Sequence, residues 1–409
     1  SILLKENFSN FTPNEKNAIR GIVETGPKYL PKENPEKHSA YWKQKWFSIM
    51  KSDPVFVTLF EEQQKLTGIE TEKFEFGSEV QVSEGFGQSP LSVEEILKLS
   101  SNELAAKLKE FRSERKLEGM TVEALAGTLK EAVKINPENF TDSLSSFQEV
   151  GFIYIYKLFD GLKETWKEKK AINWGKVFEF VIPYIKKEQF WKDVYVIEPG
   201  SWLGGADHHW VTTIVAELIQ EGTSDDAWAF SEDYFEKAKE IVFSLIEEPE
   251  EEKEEIKDYV FHTLNTPCGK LITALVYLAL RNARVNDKKG VKNDPRWSED
   301  YRIRFDDLLN KNVIDAHTSL GRFLPYLAYL DINWVTGKIK GMVSDSGSKY
   351  WVAFFEGYLS IGRVYDDLYE QMIPHYQYAL SYDFKEKRNL EHLIQHVCIA
   401  YLRGREQLL

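Results

Sequence analysis

Apolar residues in this chain recur at three- and four-residue intervals and rarely at every second position, which points it toward helices before any other property is considered. Leu271, Ala274, Leu275 and Leu278 fall at i, i+3, i+4 and i+7, one face of an α-helix. Ile214, Leu218 and Ile219 behave alike, as do Leu104, Leu108 and Phe111. Strand alternation is scarce. Phe152-Ile153-Tyr154-Ile155-Tyr156 runs on into Leu158-Phe159 and reads as a buried helix. Residues 74–82 are the best candidate for a short extended piece.

Helix starts are well marked. Ser92-Val93-Glu94-Glu95 is a capping box, in which the Ser oxygen takes a free backbone N–H and the Glu reaches back. Asn136-Pro137 and Thr266-Pro267 put a capping side chain before a Pro at the first helical position. Ser231-Glu232-Asp233 opens a helix with acids at the positive dipole end. The pattern predicts about fifteen helices of ordinary length. Loops are legible at 77–92, with Gly77, Gly85, Gly87 and Pro90, at 196–207 and at 285–300. Residues 247–258 hold eight acids and two lysines and read as a solvated helix start or loop. Many helices at comparable spacing predict an all-α fold, an α-solenoid of stacked, diverged helix pairs. Residues 1–80 read as an N-terminal helical segment and 81–409 as the solenoid.

Composition narrows function. The chain has 409 residues, 43% of them apolar and 29% charged, an ordinary globular balance. A net charge of −13 lacks the footprint of a dedicated nucleic-acid binder and would be repelled by anionic membranes. The longest apolar run, 271–280, has ten residues, against about 20 for a membrane span. Two distant cysteines, Cys268 and Cys398, suit a reducing cytoplasm. The chain opens on Ser1 with no basic region ahead of a short apolar run, so the expectation is a processed chain or a piece of a longer protein, not a signal peptide.

Catalytic signatures are few. No phosphate-cradling G-x-x-x-x-G-K-[ST], no G-x-G-x-x-G after a strand and no G-x-S-x-G is present. Asp207-His208-His209 is the most metal-like cluster, but adjacent side chains on a helix diverge by about 100°. His392 and His396 share a helix face, yet Leu393 stands where a zincin carries Glu. The pairs Asp225-Asp226, Asp306-Asp307 and Asp366-Asp367 read as caps and solvated faces. Trp334, Trp351, Tyr326 and Tyr329 have helical spacing and read mostly as core. No catalytic residue, cofactor or metal is assigned.

Several segments taken in order resemble a known family. Asn265-Thr266-Pro267-Cys268-Gly269-Lys270, then Ala274-Leu275 and Ala279-Leu280-Arg281-Asn282-Ala283-Arg284, follow an N-[ST]-P-x-G-K…aL…aLr-x-aR pattern. Ser89-Pro90-Leu91-Ser92 with Glu94-Glu95-Ile96, Glu123 to Leu129, and Pro137-Glu138-Asn139-Phe140 precede it. Phe323 to Asp331 with Trp334-Val335, then Phe355-Glu356-Gly357-Tyr358-Leu359, follow it. This order resembles the C-terminal, TPR-like sensor region of antiviral STAND NTPases, the Avs family. The resemblance runs over about residues 50 to 380, and each motif is also a packing or capping signature.

The resemblance implies a sensor that recognises a phage structural protein, large terminase or portal, while an effector and a nucleotide-binding oligomerisation module lie outside this chain. Neither ATPase nor nuclease activity is then expected of it, nor direct nucleic-acid binding. Loops at 202–210 and 297–302 carry Trp beside charged or polar residues, so Trp202, Asp207, His208, His209, Trp297 and Arg302 are the candidate partner-binding residues. Two other readings stay open: a generic TPR- or HEAT-like interaction scaffold, and a metal-dependent hydrolase built on Asp207, His208 and His209.

Overall fold

The computed structural model describes residue 8 and residues 11–26, 35–68, 87–113, 119–192, 206–246, 255–291 and 293–404. Among these lie 21 α-helices and two short 3-10 turns. No strand occurs among them, only an isolated bridge between Gln88 and Met120. The pattern thus predicts fewer helices than the described residues form, because short connectors split the long periodic runs. Residues 74–82 lie outside the described residues.

The chain divides into two compact units, Ser1–Ser83 and Glu84–Leu409. In the first, the helices Pro13–Thr25, Pro35–Ser48 and Pro54–Thr67 all start on Pro. They close over Phe8, Val23, Phe47, Met50, Phe56 and Phe60. Thr12 and Glu15 form a capping box, and Gly68 ends the last helix in the left-handed conformation.

The second unit is a stack of helix pairs in two rows. The first row runs Val122–Ile135, Phe152–Lys167, His208–Ser224, Pro267–Lys288, Ile314–Arg322, Lys349–Leu359 and Lys387–Leu402, each packed on its predecessor. Between these the chain crosses to a second row: Pro137–Asp142, Trp174–Ile185, Phe235–Leu245, Glu299–Asn310, Ile332–Ser344 and Asp366–Ala379. This alternation is the α-solenoid architecture, in which each pair buries its apolar faces against its neighbours.

The local code places these helices. Ser92 accepts the Glu95 N–H at 3.2 Å while Glu95 accepts the Ser92 N–H at 2.8 Å. Thr266 accepts the Gly269 N–H at 3.1 Å, and Asp331 accepts that of Trp334 at 2.9 Å. Phe152–Lys167 is a helix buried along most of its length, which its unbroken apolar run anticipates.

Rows meet through aromatics and missing side chains. Trp174 packs on Trp166 at 5.1 Å and on Phe230 at 4.8 Å between ring centres. Gly222 makes that possible, because a Cβ there would lie 2.6 Å from Trp174. In the first row, Gly321 and Gly357 bring two helices into backbone contact: a Cβ on Gly321 would sit 1.9 Å from the Phe354 carbonyl oxygen. A Cβ on Gly269 would sit 1.8 Å from the Thr263 carbonyl oxygen. No helix among the described residues is long and apolar enough to cross a membrane.

Candidate recognition surface

Stacking places equivalent positions of successive first-row helices side by side. Lys130, on Val122–Ile135, meets Asp160 on the next helix at 2.8 Å. Asp160 also meets Lys163 at 3.1 Å, Lys163 meets Glu217 on the third helix at 2.7 Å, and Glu217 meets Lys270 on the fourth at 2.6 Å. Charges of alternating sign thus cross four helices in one line. Their side chains are between 8% and 24% exposed, so the pairs are partly withdrawn from solvent screening. Burial opposes the charge on Lys163, but the hydrogen bond to Glu217 and the Asp160 and Glu217 carboxylates outweigh it and raise its pKa. Burial likewise opposes Asp160 and Glu217, and their lysine partners hold both below the usual carboxylate values.

Two further groups flank this line. Tyr156 and Trp210 pack edge to face at 5.2 Å near the start of the second and third helices. Beyond the end of the third helix, Asp226 accepts from Arg281 at 2.9 Å, from Arg284 at 2.8 Å and from Lys288 at 3.1 Å. Partial burial works against that carboxylate, but Arg284 and Lys288 outweigh it and bring its pKa down to about 2. Arg281 and Arg284 are the arginines of the aLr-x-aR segment, and their i, i+3 spacing puts both on one helix face.

The residues singled out in the sequence scatter. Asp207 caps the His208–Ser224 helix, accepting the His209 N–H at 3.0 Å, and its other oxygen meets His209 Nδ1 at 3.1 Å. His208 packs on Phe190 and Trp191. Among the described residues no three of His, Cys, Asp and Glu converge as a metal-holding group. Trp297 is a correction: at 3% exposed it lies in the core against Trp334 and Phe305, so its indole cannot act as a surface anchor. Arg302 faces Glu299 and Asp306 of its own helix at 3.5 and 3.9 Å. Trp202 lies outside the described residues. Tyr326, expected among the core aromatics, is 49% exposed, whereas Trp351 is fully buried.

The line from Lys130 to Lys270 escaped sequence reasoning. Only the Asp160–Lys163 spacing hints at it, since the other pairs join residues 30 to 54 positions apart. No protein-family profile, no curated protein and no solved structure matches this chain.

Proposed function

We propose that this chain is the recognition module of an antiviral STAND NTPase, and that it binds a phage structural protein, large terminase or portal, along the first row of its helical stack. The observation that carries this reading is the continuous line of Lys130, Asp160, Lys163, Glu217 and Lys270 across four stacked helices. Rigid stacked pairs offer an extended surface suited to recognition by shape, and a patterned line of charge fixes register on a partner. The segments that resemble the Avs sensor also build this row: Thr266 caps its fourth helix, and Gly357 sits where its fifth and sixth helices touch. On this reading the chain supplies binding in the cytoplasm, and nucleotide hydrolysis and effector chemistry belong to other modules.

The test mixes the purified chain with purified large terminase and purified portal in turn and follows complex formation by size-exclusion chromatography. A stable complex with either is the expected result. A folded chain that binds neither would favour the general interaction-scaffold reading of the same surface.

A further inference from the structure

Arg322 ends the first-row helix Ile314–Arg322, within the stack, and is partly buried. Its neighbours in kind are paired: Arg281 and Arg284 share Asp226, and Arg304 reaches the Phe243 and Ile246 carbonyls. Arg322 is not. Among the described residues, no carboxylate, carbonyl or hydroxyl accepts from its guanidinium. Its Nη1 is sealed from solvent without a partner, whereas Nε and Nη2 are not sealed, so that edge of the fork stays open. Burial works against the charge, and a partly desolvated guanidinium without an acceptor is costly to the fold.

Aromatic rings hold it in place. The guanidinium lies 5.0 Å from the centre of the Phe323 ring. Tyr277, on Pro267–Lys288, meets the same ring edge to face at 6.1 Å, and Tyr326, on Leu324–Leu330, tilts against it at 6.2 Å. Among the described residues neither tyrosine hydroxyl has a hydrogen-bond partner. Burial pushes the Tyr277 hydroxyl above its ordinary pKa, so it remains a donor at neutral pH. Glu221, whose charge reaches Tyr277, makes no ion pair with Arg322. Lys270 and Tyr277 are seven residues apart and share a helix face, so the charged line of the first row leads on to this cluster.

Unused donors define the ligand. A planar carboxylate spans the Nε–H and Nη2–H edge of a guanidinium with two parallel hydrogen bonds. A phosphate dianion would call for more than one free cation on a chain of net charge −13. We propose that Arg322, flanked by Tyr277 and Tyr326, is the subsite that takes an acidic side chain, Asp or Glu, of the protein bound along the first row. This rests on the first row being the binding face, but the subsite itself is tested without the partner.

Sodium acetate replaces sodium chloride at constant ionic strength and neutral pH, and NMR follows the arginine Nε–H signals of the full, isotope-labelled chain. The Arg322 signal is identified by its loss in Arg322→Lys. It should move and saturate with a midpoint of roughly 30 mM, the affinity of one or two charge-assisted hydrogen bonds. The Arg284 signal, already bonded to Asp226, should stay. Tyr277→Phe should raise the acetate dissociation constant about fivefold, the effect of one hydrogen bond. Circular dichroism melts confirm that both variants remain folded. An Arg322 signal that moves no further than that of Arg284 overturns the proposal. So does saturation by inorganic phosphate but not by acetate, or a Tyr277→Phe chain that binds acetate as tightly as the wild type. A saturating acetate response from a chain that captures neither terminase nor portal supports the subsite and removes only those two partners.

Discussion

At the residue scale, capping was the most legible layer, because a cap is decided by neighbours in sequence. Thr266 shows where that legibility ends. Its oxygen accepts from Gly269, as the Thr-Pro pair predicts, but its hydroxyl also donates to Asp315 at 2.9 Å, 49 residues away. Thr266→Ala therefore removes a cap and a partner of a buried carboxylate, and should cost about 2 kcal/mol in urea unfolding, above the ~1 kcal/mol of a cap alone. A loss of only a few tenths would mean neither bond matters. Buried titratable groups were illegible from sequence, since burial is a tertiary property. Trp351 donates to His375 Nδ1 at 2.9 Å, and His375 Nε2–H reaches the Ile339 carbonyl at 3.0 Å, which fixes a neutral ring. Burial holds His317, His375 and His396 down to about 4, against an ordinary 6.5. Between those values the unfolded chain binds more protons, so stability falls as pH drops through that window. Glu356 opposes this: burial pushes it up to about 7 from 4.5, so the folded chain binds the extra proton there and gains stability as pH falls. Three groups outweigh one, and the melting temperature should fall from pH 6.5 to 4.5. Glu356→Gln should steepen that fall; an equal or shallower slope would contradict the assignment.

At the scale of elements, periodicity found the helices and their buried faces, as Leu271, Ala274, Leu275 and Leu278 show. It could not say which helices touch, because that depends on where side chains are absent. Gly321 and Gly357 look like ordinary helix-weakening glycines in sequence, yet they sit where two first-row helices meet backbone to backbone. Gly321→Ala should cost about 3 kcal/mol by forcing the helices apart. Gly341→Ala is the contrast: no atom lies within 4 Å of a Cβ there, and the helix should gain about 0.5 kcal/mol from the better helix former. Equal effects of the two changes in thermal unfolding would refute the close contact. The same reasoning accounts for Trp297. Its polar, Pro-containing loop suggested an exposed ring, but only the approach of Trp334 and Phe305 from later helices decides that it is buried. The charged line was hidden for a related reason. Lys163, Glu217 and Lys270 become neighbours only through the stack. Glu217→Gln removes the carboxylate that Lys163 and Lys270 share, leaving Lys163 with Asp160 alone, and should cost about 2 kcal/mol, measured by the same urea titration.

At the scale of the whole molecule, the stack turns separate amphipathic helices into one extended face, the face we propose for recognition. Local sequence carried the all-α class and the helix pairs; the face itself emerges only when four helices align their charges. Hydrogen–deuterium exchange of the chain, with and without the large terminase or portal protein proposed as its partner, tests this proposal most directly. Binding along the first row should slow exchange in peptides spanning residues 156–163, 213–221 and 270–284, and leave those of Trp174–Ile185 and Phe235–Leu245 in the second row unchanged. A complex that protects only second-row helices, or the 297–302 loop, would contradict it.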